Sequence, residues 1–132
     1  MSIDALFEAA RAAQAHAYAL YSGFRVGAAV QGESGAVYAG CNVENAAYPV
    51  GTCAEQGAIS AMVAAGERRI VAVLVVGDGR MLVTPCGACR QRIRELGAPD
   101  TPIHVAGADG VRGTFTLDDL LPCAFGPDNL RT

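Results

Sequence analysis

Two cysteines stand three apart in Pro85-Cys86-Gly87-Ala88-Cys89, and a third thiol, Cys53, lies two residues before the carboxylate of Glu55. An ionised cysteine is a soft metal ligand or a nucleophile, and a carboxylate carries protons. The segment after Pro85 has the marks of a helix start. There, unpaired backbone N–H groups favour thiolates and both sulfurs can face one side. Two such sulfurs are half of a tetrahedral metal site. A structural zinc closes its shell with four protein ligands, usually from two Cys-x-x-Cys pairs, and the chain has no second pair. Cys53 is the other thiol that opens a helical pattern, so three thiolates and an open fourth position describe a catalytic zinc that holds water. Glu55 is then placed to take that water's proton. A redox pair would leave Cys53 and Glu55 unexplained. A purely structural zinc would need Cys41 or Cys123 as fourth ligand, and both read as small packing residues.

The elements that must position these groups alternate along the chain. Residues 3–21 read as an Ala-rich helix, with Ile3, Phe7, Ala10, Ala13, Ala17, Leu20 and Tyr21 on one stripe and Ser2 as its cap. Residues 26–31 and 36–41 are apolar runs around Gly-Glu-Ser-Gly, a hairpin signal. A loop punctuated by Asn, Pro and Gly leads to a helix over 54–66 that stops at Gly66. Residues 70–77 form a continuous β-branched run suited to a strand covered on both faces. A third helix follows, with Pro85 near its first turn and Gly97 at its end. Strands over 102–107 and 113–116 and a short helix capped by Thr116 complete the chain. Such interleaving favours helices on both faces of a mixed sheet.

Length and composition bound the rest. The 132 residues suggest one domain over 1–132, large enough to bury roughly two-thirds of its chain surface. Apolar residues make up 52%, aromatics only 6%, and there is no Trp, so the core is expected to be built on Ala, Val and Gly. No run approaches the roughly 18 apolar residues of a membrane span. The first ten residues carry acid where a signal peptide carries base, so a cytoplasmic location is expected. All ten basic residues are Arg and 13 acids outweigh them, for a net charge of −3; this disfavours nucleic acid and points to a small partner. Five cysteines, an odd number, fit a reducing compartment better than a disulfide framework.

Cys53-Ala54-Glu55 followed by Pro85-Cys86-Gly87-Ala88-Cys89 matches the ligand-x-Glu and Pro-Cys-x-x-Cys signature of zinc deaminases, in which the Glu is not a ligand. Taken with residues 21–30, 41–48 and 120–125, the chain resembles the small homotetrameric cytidine deaminases over nearly its whole length. The resemblance implies an α/β fold, a three-layer α/β/α sandwich with a mixed five-stranded sheet. It implies one Zn2+ per subunit on Cys53, Cys86 and Cys89, with Glu55 as proton shuttle for a zinc-bound hydroxide. The expected reaction is hydrolytic deamination of cytidine and 2'-deoxycytidine in pyrimidine salvage. The alternative substrate is a related aminated ring such as blasticidin S, and the non-enzymatic alternative is a zinc-stabilised binding domain. Phe24 is expected to line the nucleoside site, Asn42 and Glu44 to hold the ribose hydroxyls, and Ala54 to recognise the amino group. Tyr48 and Phe125 are expected to reach a neighbouring subunit's site. No nucleic acid and no membrane is expected as partner.

One position departs from the resemblance. Zinc with three thiolates is a weaker Lewis acid than zinc with a neutral imidazole. Much of the three-cysteine group places an Arg after the catalytic Glu, to donate to the thiolates. Here Gln56 stands there, able to donate N–H bonds in the zinc's outer shell but bringing no charge. The dipoles of two helix starts and Arg90, next to Cys89, are the available compensations.

Overall fold

The computed structural model describes residues 3–131. Five strands form one sheet in the order β2-β1-β3-β4-β5, with β1 at Val26–Gly32, β2 at Val37–Cys41, β3 at Ile70–Gly77, β4 at Pro102–Gly107 and β5 at Gly110–Thr116. β3 and β4 run parallel and the other pairs are antiparallel, so the sheet is mixed. Helix α1 (Ile3–Gln14) lies on one face; α2 (Ala54–Ala64), α3 (Gly87–Leu96) and the single turn α4 (Leu117–Leu120) lie on the other. This is the expected three-layer α/β/α sandwich.

The period of two along each strand separates two cores. Val30, Val73, Val75, Ile103 and Val105 face Ala58 and Met62 of α2, Ile93 of α3 and Leu117 of α4. Ala29, Leu74, Val76 and Ala106 point the other way, onto Leu6 and Ala10 of α1. Fully buried Met62 and Leu74 each contribute about 1.5–3 kcal/mol of transfer free energy. Small residues allow close layers. A Cβ on Gly40 of β2 would stand 2.5 Å from the Ala58 nitrogen and 2.6 Å from the Ala54 oxygen, so only glycine lets α2 lie this near the sheet. That approach sets the height of the α2 N-terminus, where Cys53 and Glu55 sit.

The first helix is shorter than its composition suggests. It ends at Gln14, and its buried stripe is Leu6, Ala10 and Gln14, with Ile3 exposed. Asp4, Glu8 and Arg11 form its exposed polar side, which turns Leu6, Ala10 and Gln14 onto the sheet. Beyond Gln14 the chain finds better partners than its own helix. Tyr18 N donates to Asn42 O at 3.0 Å and Tyr18 O accepts from Glu44 N at 2.9 Å, while the Gln14 amide donates to Arg25 O at 3.1 Å. This course of the chain carries Tyr21 and Ser22 to the cleft. The expected cap Ser2 lies outside the described residues. The strand read at 113–116 extends back to Gly110, whose φ of +115° makes the tight turn from β4.

The stops at Gly66 and Gly97 hold; Gly66, at φ +98°, follows the α2 C-cap Ala65 and Gly97 is the C-cap of α3. Thr116 caps α4 with a reciprocal box, accepting from Asp119 N while the Asp119 carboxylate accepts from Thr116 N. Helix α3 begins at Gly87 with Cys86 as its N-cap, leaving Pro85 buried just outside the helix.

Candidate active site

Two helix starts converge. Cys53 is the N-cap of α2 and Cys86 the N-cap of α3, both with extended backbone, and Cys89 is the third residue of α3. The Cys53 and Cys86 sulfurs are 3.7 Å apart, and all three sulfurs lie within 4.8 Å of one another. Tetrahedral zinc with Zn–S bonds of about 2.3 Å requires sulfurs about 3.8 Å apart, so the donor set fits that ion. Cys89 is buried, Cys53 half-buried and Cys86 exposed, which leaves one side open to the solvent.

The charges agree with such a site. Burial pushes the Cys53 thiol up, and the neighbouring Cys86 sulfur adds to the rise. Burial and the Glu55 carboxylate push Cys89 up further, against the Arg92 guanidinium, which lowers it. Cys86 moves the other way: burial would raise it, but hydrogen bonds from the Cys89 backbone N–H and with the other two thiols outweigh burial and bring it down. A crowd of thiols and a carboxylate resists full ionisation until a cation joins it.

Glu55, in the first turn of α2, is only 4% exposed. Burial raises its carboxyl above the ordinary carboxylate range, while its own backbone N–H and Arg92 hold it back. It forms part of a cleft of about 520 Å³ together with Cys53, Ala54 and Cys86. Asn42, Glu44, Tyr21, Ser22 and Tyr48 line the same cleft. The loop bearing Asn42 and Glu44 is pinned by main-chain pairs from Val43 to Thr52, at 3.0 and 2.9 Å.

Asn42 and Glu44 spend polar capacity on the scaffold. Asn42 Oδ1 accepts from Val26 N and its Nδ2 donates to Phe24 O, both at 2.9 Å. Glu44 Oε1 accepts from Tyr21 N at 2.9 Å and Ser22 N at 3.0 Å, and its Oε2 accepts from the Ser22 hydroxyl. That hydroxyl and the Ser22 backbone N–H hold the Glu44 carboxyl below its usual range. Oε1 has both acceptor sites taken, so Oε2 is the oxygen that keeps acceptor capacity for a ligand.

Other expected residues fall elsewhere. Phe24 and Phe125 are outside the lining of the cleft; both are exposed, and a Cβ on Gly79 would stand 4.0 Å from the Phe24 ring. Tyr48 lines the cleft, is 74% exposed and meets Tyr21 edge to face at 5.9 Å between ring centroids. Gln56, expected to donate to sulfur, donates instead to Ser60 Oγ at 2.7 Å along its own helix. Arg90 cannot serve as the substitute. Its guanidinium donates to Pro85 O at 2.8 Å, Leu120 O at 2.7 Å and Thr84 Oγ1 at 3.0 Å, clasping the loop before α3 to α4. The cation that reaches the thiols is Arg92, whose Nη1 donates to Cys89 Sγ at 3.5 Å. Sequence reasoning passed over it, although its i, i+3 spacing from Cys89 already puts both on one helix face.

Fold and site together define a zinc-binding α/β sandwich with a buried carboxylate beside a three-thiol metal centre. Comparison with known proteins supplies the family. Residues 1–105 match the model of the cytidine and deoxycytidylate deaminase zinc-binding region. The chain is 40% identical over 130 residues to a cytidine deaminase of Sporosarcina psychrophila, covering 98% of this chain and 96% of the relative. A cytidine deaminase of Halalkalibacterium halodurans is 39% identical over 130 residues, with 98% of each covered. Among solved structures, the cytidine deaminase of Burkholderia pseudomallei superposes with a TM-score of 0.88 at 46% identity, covering 95% of this chain and all of that one. The chain belongs to the cytidine and deoxycytidylate deaminase family. Its metal is zinc, and the three-cysteine cluster is the group suited to hold it.

Proposed function

We propose that this protein is a zinc-dependent hydrolase that converts cytidine and 2'-deoxycytidine to uridine and 2'-deoxyuridine with release of ammonia, a pyrimidine salvage reaction. The observation that carries the reading is a nearly fully buried carboxylate, Glu55, at the three-sulfur cluster of an open cleft. Relatives spanning the whole chain are named cytidine deaminases, which supports the substrate class. Held by Cys53, Cys86 and Cys89, zinc supplies Lewis acidity that makes water nucleophilic near neutral pH.

Glu55 does the proton chemistry. Burial raises its carboxyl above the ordinary carboxylate range, which favours its taking up a proton. It accepts a proton from the attacking water and delivers it to pyrimidine N3. The water oxygen bonds to C4, and Glu55 then takes the proton of that new C4 hydroxyl and passes it to the amino group, so that ammonia leaves as the C4–N bond breaks and C4=O forms. The Ala54 carbonyl, at the first turn of α2, accepts from the substrate amino group. Glu44 accepts from the ribose hydroxyls, and Asn42 holds the loop that aims it; Phe24, outside the cleft lining, takes no part in holding the ring. The two charged residues of the cleft lining are the carboxylates Glu44 and Glu55, which supports an uncharged nucleoside over a nucleotide. Exposed Tyr48 and Phe125 belong, in this reading, to contacts that complete sites between subunits of a homotetramer. All 132 residues form one deaminase domain working in the cytoplasm; no described helix is long and apolar enough to cross a membrane.

One assay tests the reading. Metal-replete protein is incubated with cytidine, deoxycytidine, blasticidin S and CMP while loss of the cytosine absorbance is followed. Turnover of the two nucleosides is expected. Turnover of blasticidin S alone would move the substrate, and zinc binding with no ammonia from any of them would leave a binding domain. Size measurement in solution tests the tetramer.

A further inference from the structure

We propose that Arg92 is the positioning residue that compensates the thiolate charge of the metal centre, a task that Gln56 and Arg90 leave undone. The inference rests on the metal-site reading above. Three thiolates and one carboxylate carry more negative charge than a divalent ion offsets, so the cluster calls for another cation or for donors aimed at sulfur. The groups that could answer are few. Gln56 is neutral and its amide nitrogen is drawn 2.7 Å from Ser60 Oγ, one turn along its own helix. Arg90 is committed to two carbonyls and a hydroxyl, all within 3.0 Å. Arg94, also on α3, packs against Gly126, where an added Cβ would stand 2.7 Å from its guanidinium carbon. Arg92 remains, with Nη1 3.5 Å from Cys89 Sγ.

The placement suits the task. Cys89 is the fully buried ligand of the three and Glu55 is buried with it, so this is the corner of the cluster where water screens least. Arg92 approaches it from one helical turn along α3 and keeps its fixed charge at any working pH. A guanidinium N–H directed at a thiolate draws electron density from sulfur while leaving the sulfur free to bind metal. Arg92 therefore steadies the direction of the Cys89 sulfur and sets a fixed positive charge beside the buried corner of the cluster. It touches neither substrate nor the reacting atoms.

The test compares wild type with Arg92→Gln, Arg92→Lys and, as a control for bulk charge, Arg69→Gln, which sits in an exposed pair with Glu33. Zinc dissociation constants are measured by chelator competition, and the sulfur-to-metal charge-transfer band is recorded after cobalt substitution. Loss of an outer-shell partner typically weakens metal binding about 10- to 100-fold, and Arg92→Gln is expected within that range, with the cobalt band moved to longer wavelength. Arg92→Lys is expected to recover part of both effects, and Arg69→Gln to show neither. If Arg92→Gln binds zinc as wild type does with the cobalt band in place, the proposal is overturned while the metal site stands. If wild type binds no zinc, the metal-site reading falls and takes the proposal with it.

Discussion

Cys53 and Cys86, 33 residues apart in the chain, cap the N-termini of two different helices and bring their sulfurs to 3.7 Å. Each helix start contributes about half a positive charge there, in addition to unpaired N–H groups. Neither helix alone makes the site. The metal centre is a joint between α2 and α3, and α2 is held at its height by the close approach at Gly40.

Glu55→Gln should fold and bind zinc yet lose turnover by at least about 100-fold, the lower end of what a positioned proton carrier contributes. Zinc content by metal analysis and initial rates on cytidine check both halves. Near-normal rates from the zinc-loaded variant would remove Glu55 from the mechanism.

Gly40→Ala places a methyl group 2.5 Å from the backbone of α2, which cannot swing aside as a side chain could. Overpacking of this kind costs about 1–3 kcal/mol. Denaturant unfolding should show that loss, and zinc affinity should fall with it because Cys53 rides on the displaced helix. A wild-type midpoint and affinity together would contradict the account of the β2–α2 approach.

Removing zinc with a chelator should lower the unfolding midpoint as well as abolish activity, since the ion ties α2 to α3. Metal at 100 times its Kd contributes about 2.7 kcal/mol when the unfolded chain does not bind it. Calorimetry of the apo and reloaded protein measures this. An apo protein with an unchanged midpoint would mean that the sulfurs are held without the ion.

Asn42→Ala removes the acceptor for Val26 N and the donor to Phe24 O. Stranding those partners costs about 1–3 kcal/mol. Because the lost contacts hold the loop of Glu44, KM should rise more than kcat falls. A kcat effect alone would place Asn42 in the chemistry instead.

His104, 7% exposed, accepts or donates one ring hydrogen bond with Thr114 at 2.8 Å, and burial lowers its pKa from the ordinary value. The folded protein therefore binds the proton less readily than the unfolded chain, whose His titrates near about 6.5. Stability is full above that pH and falls as the pH drops through it toward the lower folded value. Unfolding midpoints between about pH 7.5 and 5.5 should decline, and His104→Asn should flatten that slope. An equal slope in the variant would assign the decline to other groups.

Much of this protein was legible in its sequence, because the decisive features are local. The Cys-x-x-Cys spacing places Cys86 and Cys89 on one helix start whatever surrounds it. Gly66 and Gly97 stop helices by backbone conformation and cap geometry, and the β-branched run at 70–77 reads as a doubly covered strand through side-chain chemistry alone. What only the tertiary structure decided is where competing partners stand. Residues 15–21 leave the helix because Asn42 and Glu44 offer main-chain bonds that an Ala-rich segment has no reason to refuse. Gln56 turns to Ser60, Arg90 to three oxygens and Arg92 to sulfur, although all three lie within a few residues of a ligand in sequence. Residue type sets what a long polar side chain can donate. The folded neighbours set where it donates, since rotamers differ by little energy until an acceptor brought within reach selects one.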